Sequence, residues 1–408
     1  MDSEIFGYLD PASGPAAAGG PLAGQTFAIQ PCIGVQGWPT EAGSKALKDF
    51  VALEDATAIA RLREAGATLT GSTRTSELGF GLVGDTAQRA IHNDRVHMAL
   101  MIDTMGEGRA AAAAAGCFGF KPSYGIVSRF GLVGLVPSME CLCVLARRPA
   151  DIVSVMRIIA GIDENDFSMS NRIPDFGSIR SEGQEIRTVG VVKEVVKTLD
   201  REMLAAFRRA LSLLQSTGLD IREVSLPNFH LFRPVHQVIG AVEASSSCGK
   251  YDGVRYGHRT ASSRNWNEMY IKTRAESFGS LVKAYLFQGA YFQFENYEAF
   301  LDACRLRARL IAETEALMED VDAVVLPTLK GPVKALPVSN VGDVYEAFPL
   351  TLPANVSGLP AVQIPGIALH AGFDAGLQLM GARLSDARLL TMASHLVQFM
   401  EESKKNGL

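Results

Sequence analysis

The chain is poor in the features that would tie it to a membrane, a nucleic acid or an oxidising compartment. Its six cysteines among 408 residues (Cys32, Cys117, Cys141, Cys143, Cys248 and Cys304) form no CxxC pair and no Cys/His ligand spacing. Reduced, buried thiols are therefore expected, and neither a metal centre nor any other cofactor is. Cys141 and Cys143 stand two apart, a spacing that fits no common metal motif. Apolar runs such as Leu132 to Val136 fall far short of a membrane span. The start, Met1-Asp-Ser-Glu4, lacks the basic and apolar halves of a secretory signal. A cytoplasmic protein without membrane attachment is the expectation. Basic runs are missing too: 39 Lys and Arg are interspersed with 44 Asp and Glu, for a net charge of -5. That balance leaves no electrostatic footprint for direct nucleic-acid binding.

What is present is the profile of a globular protein, 47% hydrophobic and 20% charged, long enough for a large core. Residues 1–24, rich in Gly, Pro and Ala, read as a leader laid loosely over the surface. Asp55 to Ala67 carries apolar Ala58, Ile59, Leu62 and Ala65 on one helical face, with Gly66 as a stop signal. Thr68 to Gly71, Met98 to Ile102, Arg187 to Val192, Asp220 to Leu226 and Val321 to Leu326 read as strands. Glu202 to Leu214 and Leu310 to Met318 read as helices. Alternating strands and helices, with no repeat and no polar linker, predict one large α/β domain over residues 25–408. Ala261 to Asn267 is the expected mobile surface loop.

The stretch Asp103-Thr-Met-Gly-Glu-Gly-Arg109, followed by Ala110 to Ala115, predicts a strand end, a glycine turn and a helix of small residues. Glu107 sits in the mouth of that turn, and two physical readings compete. A carboxylate in a first helical turn caps free N–H groups and meets the positive end of the helix dipole, which lowers its pKa. Burial in a dry pocket raises the pKa and gives a general acid/base. Asp103 and Arg109 are placed to form an internal ion pair. His92 and His97 lie close upstream and read as surface or satisfied residues. Cys32 reads as a buried thiol.

Four stretches together resemble the amidase signature family. Phe118-Gly-Phe-Lys-Pro-Ser-Tyr-Gly125 with Val127-Ser-Arg-Phe-Gly-Leu-Val133 is similar to its GLKPTYGRVSRYGLV segment. Glu243-Ala-Ser-Ser-Ser247 with Tyr251-Asp-Gly-Val-Arg-Tyr-Gly257 is similar to EASSN and YDGVRYG. Arg274-Ala-Glu-Ser-Phe-Gly279 and Pro353-Ala-Asn-Val-Ser-Gly-Leu-Pro360 match as well. The resemblance runs from about Gly24 to the C-terminus. It implies a mixed, twisted central β-sheet surrounded by helices, in a single large α/β domain.

The family acts on amides through a serine nucleophile, a second bridging serine and a lysine base, with backbone N–H groups holding the oxyanion. Carried over position by position, the resemblance implies that each of the three is replaced here. The lysine falls on Gln30, an amide that is no base. The nucleophile falls on Glu107, and the bridging serine, across a loop that this chain has lost, on Val83. In the branch that takes its amide from glutamine, the substrate-anchoring arginine falls near Ala308, beside Arg305, Arg307 and Arg309. The anchoring aspartate falls on Phe348, and Tyr291 keeps a tyrosine's place. The former pocket would then be lined by Gln30, Cys32, Val83, Asp103, Thr104, Met105, Gly106, Tyr291 and Phe348 around Glu107.

Three functions follow as expectations. The first is a repurposed small-molecule enzyme in a biosynthetic setting, with Glu107 transferring a proton in a cyclisation, isomerisation, elimination or condensation. The second is a catalytically inactive pseudoamidase that binds a protein partner, since a branch of the family works within a multi-protein complex. The third, least favoured, is an amide hydrolase with an improvised nucleophile such as Cys32 or Thr104, because loss of one relay member costs orders of magnitude in rate.

Overall fold

The computed structural model describes residues 2–12, 19–177, 186–331, 338–366, 369–370 and 373–405. Eleven strands build its main sheet. They are β1 (Phe6–Leu9), β2 (Thr26–Ile29), β3 (Thr68–Thr73), β4 (Met98–Asp103), β5 (Phe118–Lys121), β6 (Cys141–Ala146), β7 (Thr188–Val192), β8 (Asp220–Val224), β9 (Ala323–Pro327), β10 (Ala361–Ile364) and β11 (Leu377–Gly381). Their spatial order is β1-β3-β2-β4-β6-β5-β10-β11-β9-β7-β8. The middle of the sheet, from β4 across to β9, is antiparallel. Parallel pairs flank it on both sides, β3 with β2 and β2 with β4, then β9 with β7 and β7 with β8. This is the single α/β domain with a mixed sheet among helices that the sequence predicts.

Strand β4 carries the chain to the turn at Glu107, and every one of its residues is buried. Covered on both faces, it reads as a continuous apolar run rather than an alternation. Side chains still alternate between layers, with period two. Met98, Leu100 and Ile102 join the large core cluster, and Ala99 and Met101 join the smaller one on the opposite face. The Glu107–Ala115 helix packs on that smaller side through Ala111 and Ala112. Its small residues let it approach the sheet closely. A Cβ at Gly108 would stand 2.4 Å from Cys143 Sγ on β6. The helix ends at Gly116, whose φ of 63° supplies the left-handed stop.

Several expected elements are longer, shorter or differently placed. Leu310 to Met318 is the inner part of a helix that runs Tyr297–Asp320. The expected leader is in part structured. Asp2–Ile5 is a helical turn, and β1 pairs antiparallel with β3 at the sheet edge. Ile5 and Phe6 drive this by burying their side chains in the smaller core cluster, which also holds Ala28, Ala99 and Met101. The stretch Ala261 to Asn267 is exposed as expected but ends in helix. Asn265 accepts a hydrogen bond from Glu268 N, and a helix starts at Trp266.

Candidate functional site

The turn after β4 is a nest of backbone N–H groups, and Glu107 folds back to fill it. Its Oε2 accepts from Met105 N at 2.7 Å, Thr104 N at 2.8 Å and Gly106 N at 3.2 Å. The other oxygen, Oε1, is buried without a hydrogen-bond partner among the described residues. The whole residue is 1% exposed. Gly106 makes the turn possible, with φ of 123° and no room for a side chain. A Cβ there would overlap Thr351 Oγ1 at 2.1 Å.

Both physical readings of Glu107 are thus present together, and their balance is visible. Burial, and then the charge of Asp103, push its carboxyl up from the ordinary value, against the pull of the turn's amides, to about 7. Desolvation therefore outweighs capping.

A second layer holds the nest rigid. Asp103 and Arg109 form the internal ion pair that the sequence predicts, with Arg109 Nη2 to Asp103 Oδ1 at 3.0 Å and Nε to Oδ2 at 3.1 Å. Both side chains are 0% exposed. Arg109 also donates to Thr351 O, Gln378 Oε1 and Asn355 Oδ1. Asn355 returns two bonds to Asp103, one to its backbone oxygen and one to its carboxylate. Burial alone would raise the Asp103 carboxyl, but Arg109 and Asn355 hold it below the ordinary range. Thr351 Oγ1 donates to Met105 O at 2.6 Å, so the segment following Phe348 clamps the turn from above. Phe348 itself is buried, and its carbonyl oxygen lies 3.0 Å from Thr351 Oγ1.

Gln30, at the lysine's expected position, is 1% exposed. It uses both ends of its amide. Oε1 accepts from Ile102 N at 2.8 Å, and Nε2 donates to Thr75 Oγ1 at 2.9 Å and Asp85 Oδ2 at 2.8 Å. Gln30 thereby stitches the end of β2 to β4 and closes over a carboxyl that burial pushes up to about 6. The group that meets Gln30 is thus Asp85 and not Val83. Val83 is 55% exposed, so its expected place in the pocket does not hold. The reason is local: Asp85 Oδ1 accepts from Ala87 N at 3.0 Å and starts the Ala87–His92 helix, turning Val83 outward.

Of the other expected site residues, Cys32 lies beside the Gln30, Thr75 and Asp85 group, and Tyr291 lies apart from it. Cys32 is fully buried, and burial, then Asp85 and Glu140, push its thiol far up. Iodoacetamide on the native protein is expected to modify exposed Cys304 and spare Cys32, read by peptide mass mapping. Comparable labelling of Cys32 would contradict this burial. Tyr291 is 52% exposed and lines an outer groove of about 530 Å³ between the Phe232–Ser247 and Ser280–Phe294 helices, whose lining includes neither Glu107 nor any residue of its turn. Ala308 is exposed. Its neighbour Arg307 is spent on Ser138 and on the backbone oxygen of Val356. His97 bonds Thr26 at the start of β4, the end of the strand remote from the turn. No cluster of three or more His, Cys, Asp or Glu suited to a metal occurs among the described residues. No described helix is long and apolar enough to cross a membrane.

Sequence reasoning missed three residues beside the turn. His236 is buried and places Nε2 2.9 Å from Thr104 O and Nδ1 2.9 Å from Tyr345 Oη. Tyr345 Oη lies 2.9 Å from Tyr285 Oη, and the Tyr285 ring stacks on Phe80. One signal could have found His236: it is a lone polar group on the face of Phe232, Val235 and Ile239, all of them buried.

The chain matches the family model described as Amidase over residues 9–90 and 90–390. It is 33% identical to the glutamyl-tRNA(Gln) amidotransferase A-type subunit of Lactobacillus gasseri, over 94% of this chain and 85% of that one. The corresponding subunit of Haloarcula marismortui is 30% identical, over 97% of this chain and all of its own. Among solved structures, the corresponding Thermotoga maritima protein superposes with a TM-score of 0.80 at 24% identity, covering 96% of this chain and 87% of that one. Fold, motifs and relatives agree, and this chain belongs to the amidase signature family.

Proposed function

We propose that this member of the family has given up the serine relay and uses Glu107 as a general acid/base on a small molecule. The observation that carries the reading is the asymmetry of one buried carboxyl. Three amides hold Oε2, while Oε1 has no hydrogen-bond partner among the described residues, and the group titrates at about 7. Such a group is half protonated at neutral pH and both gives and takes a proton readily. The amides that would polarise a scissile carbonyl are occupied by the protein's own carboxylate, which speaks against acyl transfer. Gln30 offers no base and Cys32 no thiolate. What is left is proton transfer in a cyclisation, isomerisation, elimination or condensation. If the resemblance carries over at Phe348, a buried apolar residue takes the place of the aspartate that would anchor an ammonium, which favours a substrate less charged than an amino acid.

The test compares the wild type with Glu107→Gln on metabolite extracts of the source cells, followed by mass spectrometry. A compound consumed by the wild type should turn over about 100- to 10,000-fold more slowly with the variant. An unchanged rate would sink the reading.

One observation favours a second reading, a catalytically silent binding protein. Gln30, Met105 and Glu107 are all closed off from the surface, while the outer groove at Tyr291 exposes Phe287. The relatives cited above are named as subunits. In that case pull-down from the source cells returns a stoichiometric partner, and Glu107→Gln leaves its binding intact.

A further inference from the structure

The three residues beside the turn form a chain of hydrogen bonds whose direction is set by chemistry alone. The backbone oxygen of Thr104 can only accept, so His236 Nε2 must carry a proton and donate it. Burial holds the imidazole neutral, its pKa lowered to about 4, so Nδ1 is a bare acceptor. Tyr345 must therefore donate to His236 Nδ1, which leaves its own oxygen to accept from Tyr285. The sequence of donors is Tyr285 to Tyr345 to His236 to the Thr104 carbonyl.

The next link is covalent. The Thr104 carbonyl and the Met105 N–H belong to one peptide unit, and Met105 N makes the shortest of the three bonds to Glu107 Oε2, 2.7 Å. Donation to a peptide oxygen polarises the amide and strengthens its N–H as a donor. Every dipole in the series points the same way and ends on the carboxylate. We propose that Tyr285, Tyr345 and His236 are positioning residues that tune the acidity of Glu107 through the Thr104–Met105 peptide. The inference rests on the reading of Glu107 as the acid/base of the site.

Other groups facing Glu107 set the background against which this tuning acts. Asp103, from β4, opposes ionisation of Glu107, and Arg109 and Lys121 in turn hold the Asp103 carboxyl down. Tyr285 and Tyr345 are themselves pushed up by burial and stay neutral across the working range. They act on Glu107 as dipoles, through bonds rather than charges.

The experiment is a carboxyl titration of Glu107 in the full-length protein by 13C NMR of labelled glutamate, with Glu107→Gln identifying the resonance. Tyr345→Phe removes the donor to His236 and should raise the Glu107 midpoint by about 0.3 to 0.5 pH unit. Tyr285→Phe, one link further out and still able to stack on Phe80, should raise it by less. His236→Leu, which strips the Thr104 carbonyl of its partner, should raise it most. If His236→Leu fails to fold, the two tyrosine variants decide. Midpoints that stay at the wild-type value while melting temperatures fall would show a purely structural role and overturn the proposal, as would a downward shift. Because the readout needs no turnover, the two claims fail separately. An ordinary wild-type midpoint that still rises in the variants sinks the acid/base reading and supports the wire. A near-neutral midpoint that does not rise sinks the wire alone.

Discussion

Replacing Arg109 by Met is expected to destabilise the protein by about 3–5 kcal/mol, the cost of leaving a buried charge without its partner. Arg109 is fully buried and spends its guanidinium on Asp103, Thr351, Asn355 and Gln378. Met fills much the same volume, so the loss is electrostatic and not a cavity. The orphaned group is Asp103, whose carboxyl Arg109 keeps below the ordinary range. Without the guanidinium, burial takes over and Asp103 prefers to be neutral. The penalty should therefore be largest at neutral pH and shrink as acid protonates Asp103. Urea unfolding at several pH values measures it, and Arg109→Met with Asp103→Asn should recover part of the loss. A cost below about 1 kcal/mol at pH 7 would mean that the pair does not hold the turn.

Glu107→Gln is expected to do the opposite to stability at high pH. The folded carboxyl titrates at about 7 against an ordinary value of 4.5, so the native state binds the proton more tightly than the unfolded chain. Linkage then makes the wild type lose stability as pH rises from about 4.5 through about 7. The loss relative to acid conditions is about 3 kcal/mol, taking roughly 1.4 kcal/mol for each unit. Glutamine keeps an oxygen for the three amides and has no charge to desolvate. The difference between variant and wild type should thus be small near pH 4 and grow in favour of the variant towards pH 8. Asp85, raised by burial to about 6, titrates in both proteins and cancels in the difference. A gap that does not change with pH would remove the desolvation argument. The same substitution is the one expected to slow turnover about 100- to 10,000-fold, the trade of activity for stability expected of a buried functional carboxyl.

Much of the frame was legible because it rests on local chemistry. Met98 to Ile102 is apolar throughout, short, and followed by Gly106 and Gly108, which together favour a buried strand leading into a turn. Asp103 and Arg109, six apart across that turn, were near enough in sequence to be paired in advance. What escaped is non-local. His236, Tyr285 and Tyr345 come to the turn from three separate helices, 49 and 60 residues apart along the chain. No periodicity links them. Val83 failed for a different reason: spacing along the sequence assigns a position but not the direction in which the chain turns there. There Asp85 captured the start of a helix and took the place beside Gln30. The N-terminal strand was hidden because Gly- and Pro-rich sequence nearby masks the short apolar pair of Ile5 and Phe6.

The competition between capping and burial at Glu107 could not be decided from sequence, since one turn supplies both terms. It is decided by how dry the nest is, which only the packing of Thr351, Phe348 and the Arg109 cluster determines. The most direct measurement is an infrared titration of the wild type with Glu107→Gln subtracted. A protonated carboxyl band that disappears with a midpoint near 7 is the expected result. A midpoint at or below the ordinary 4.5 would show that the amides win, that Glu107 is a plug, and that it is no acid/base at neutral pH.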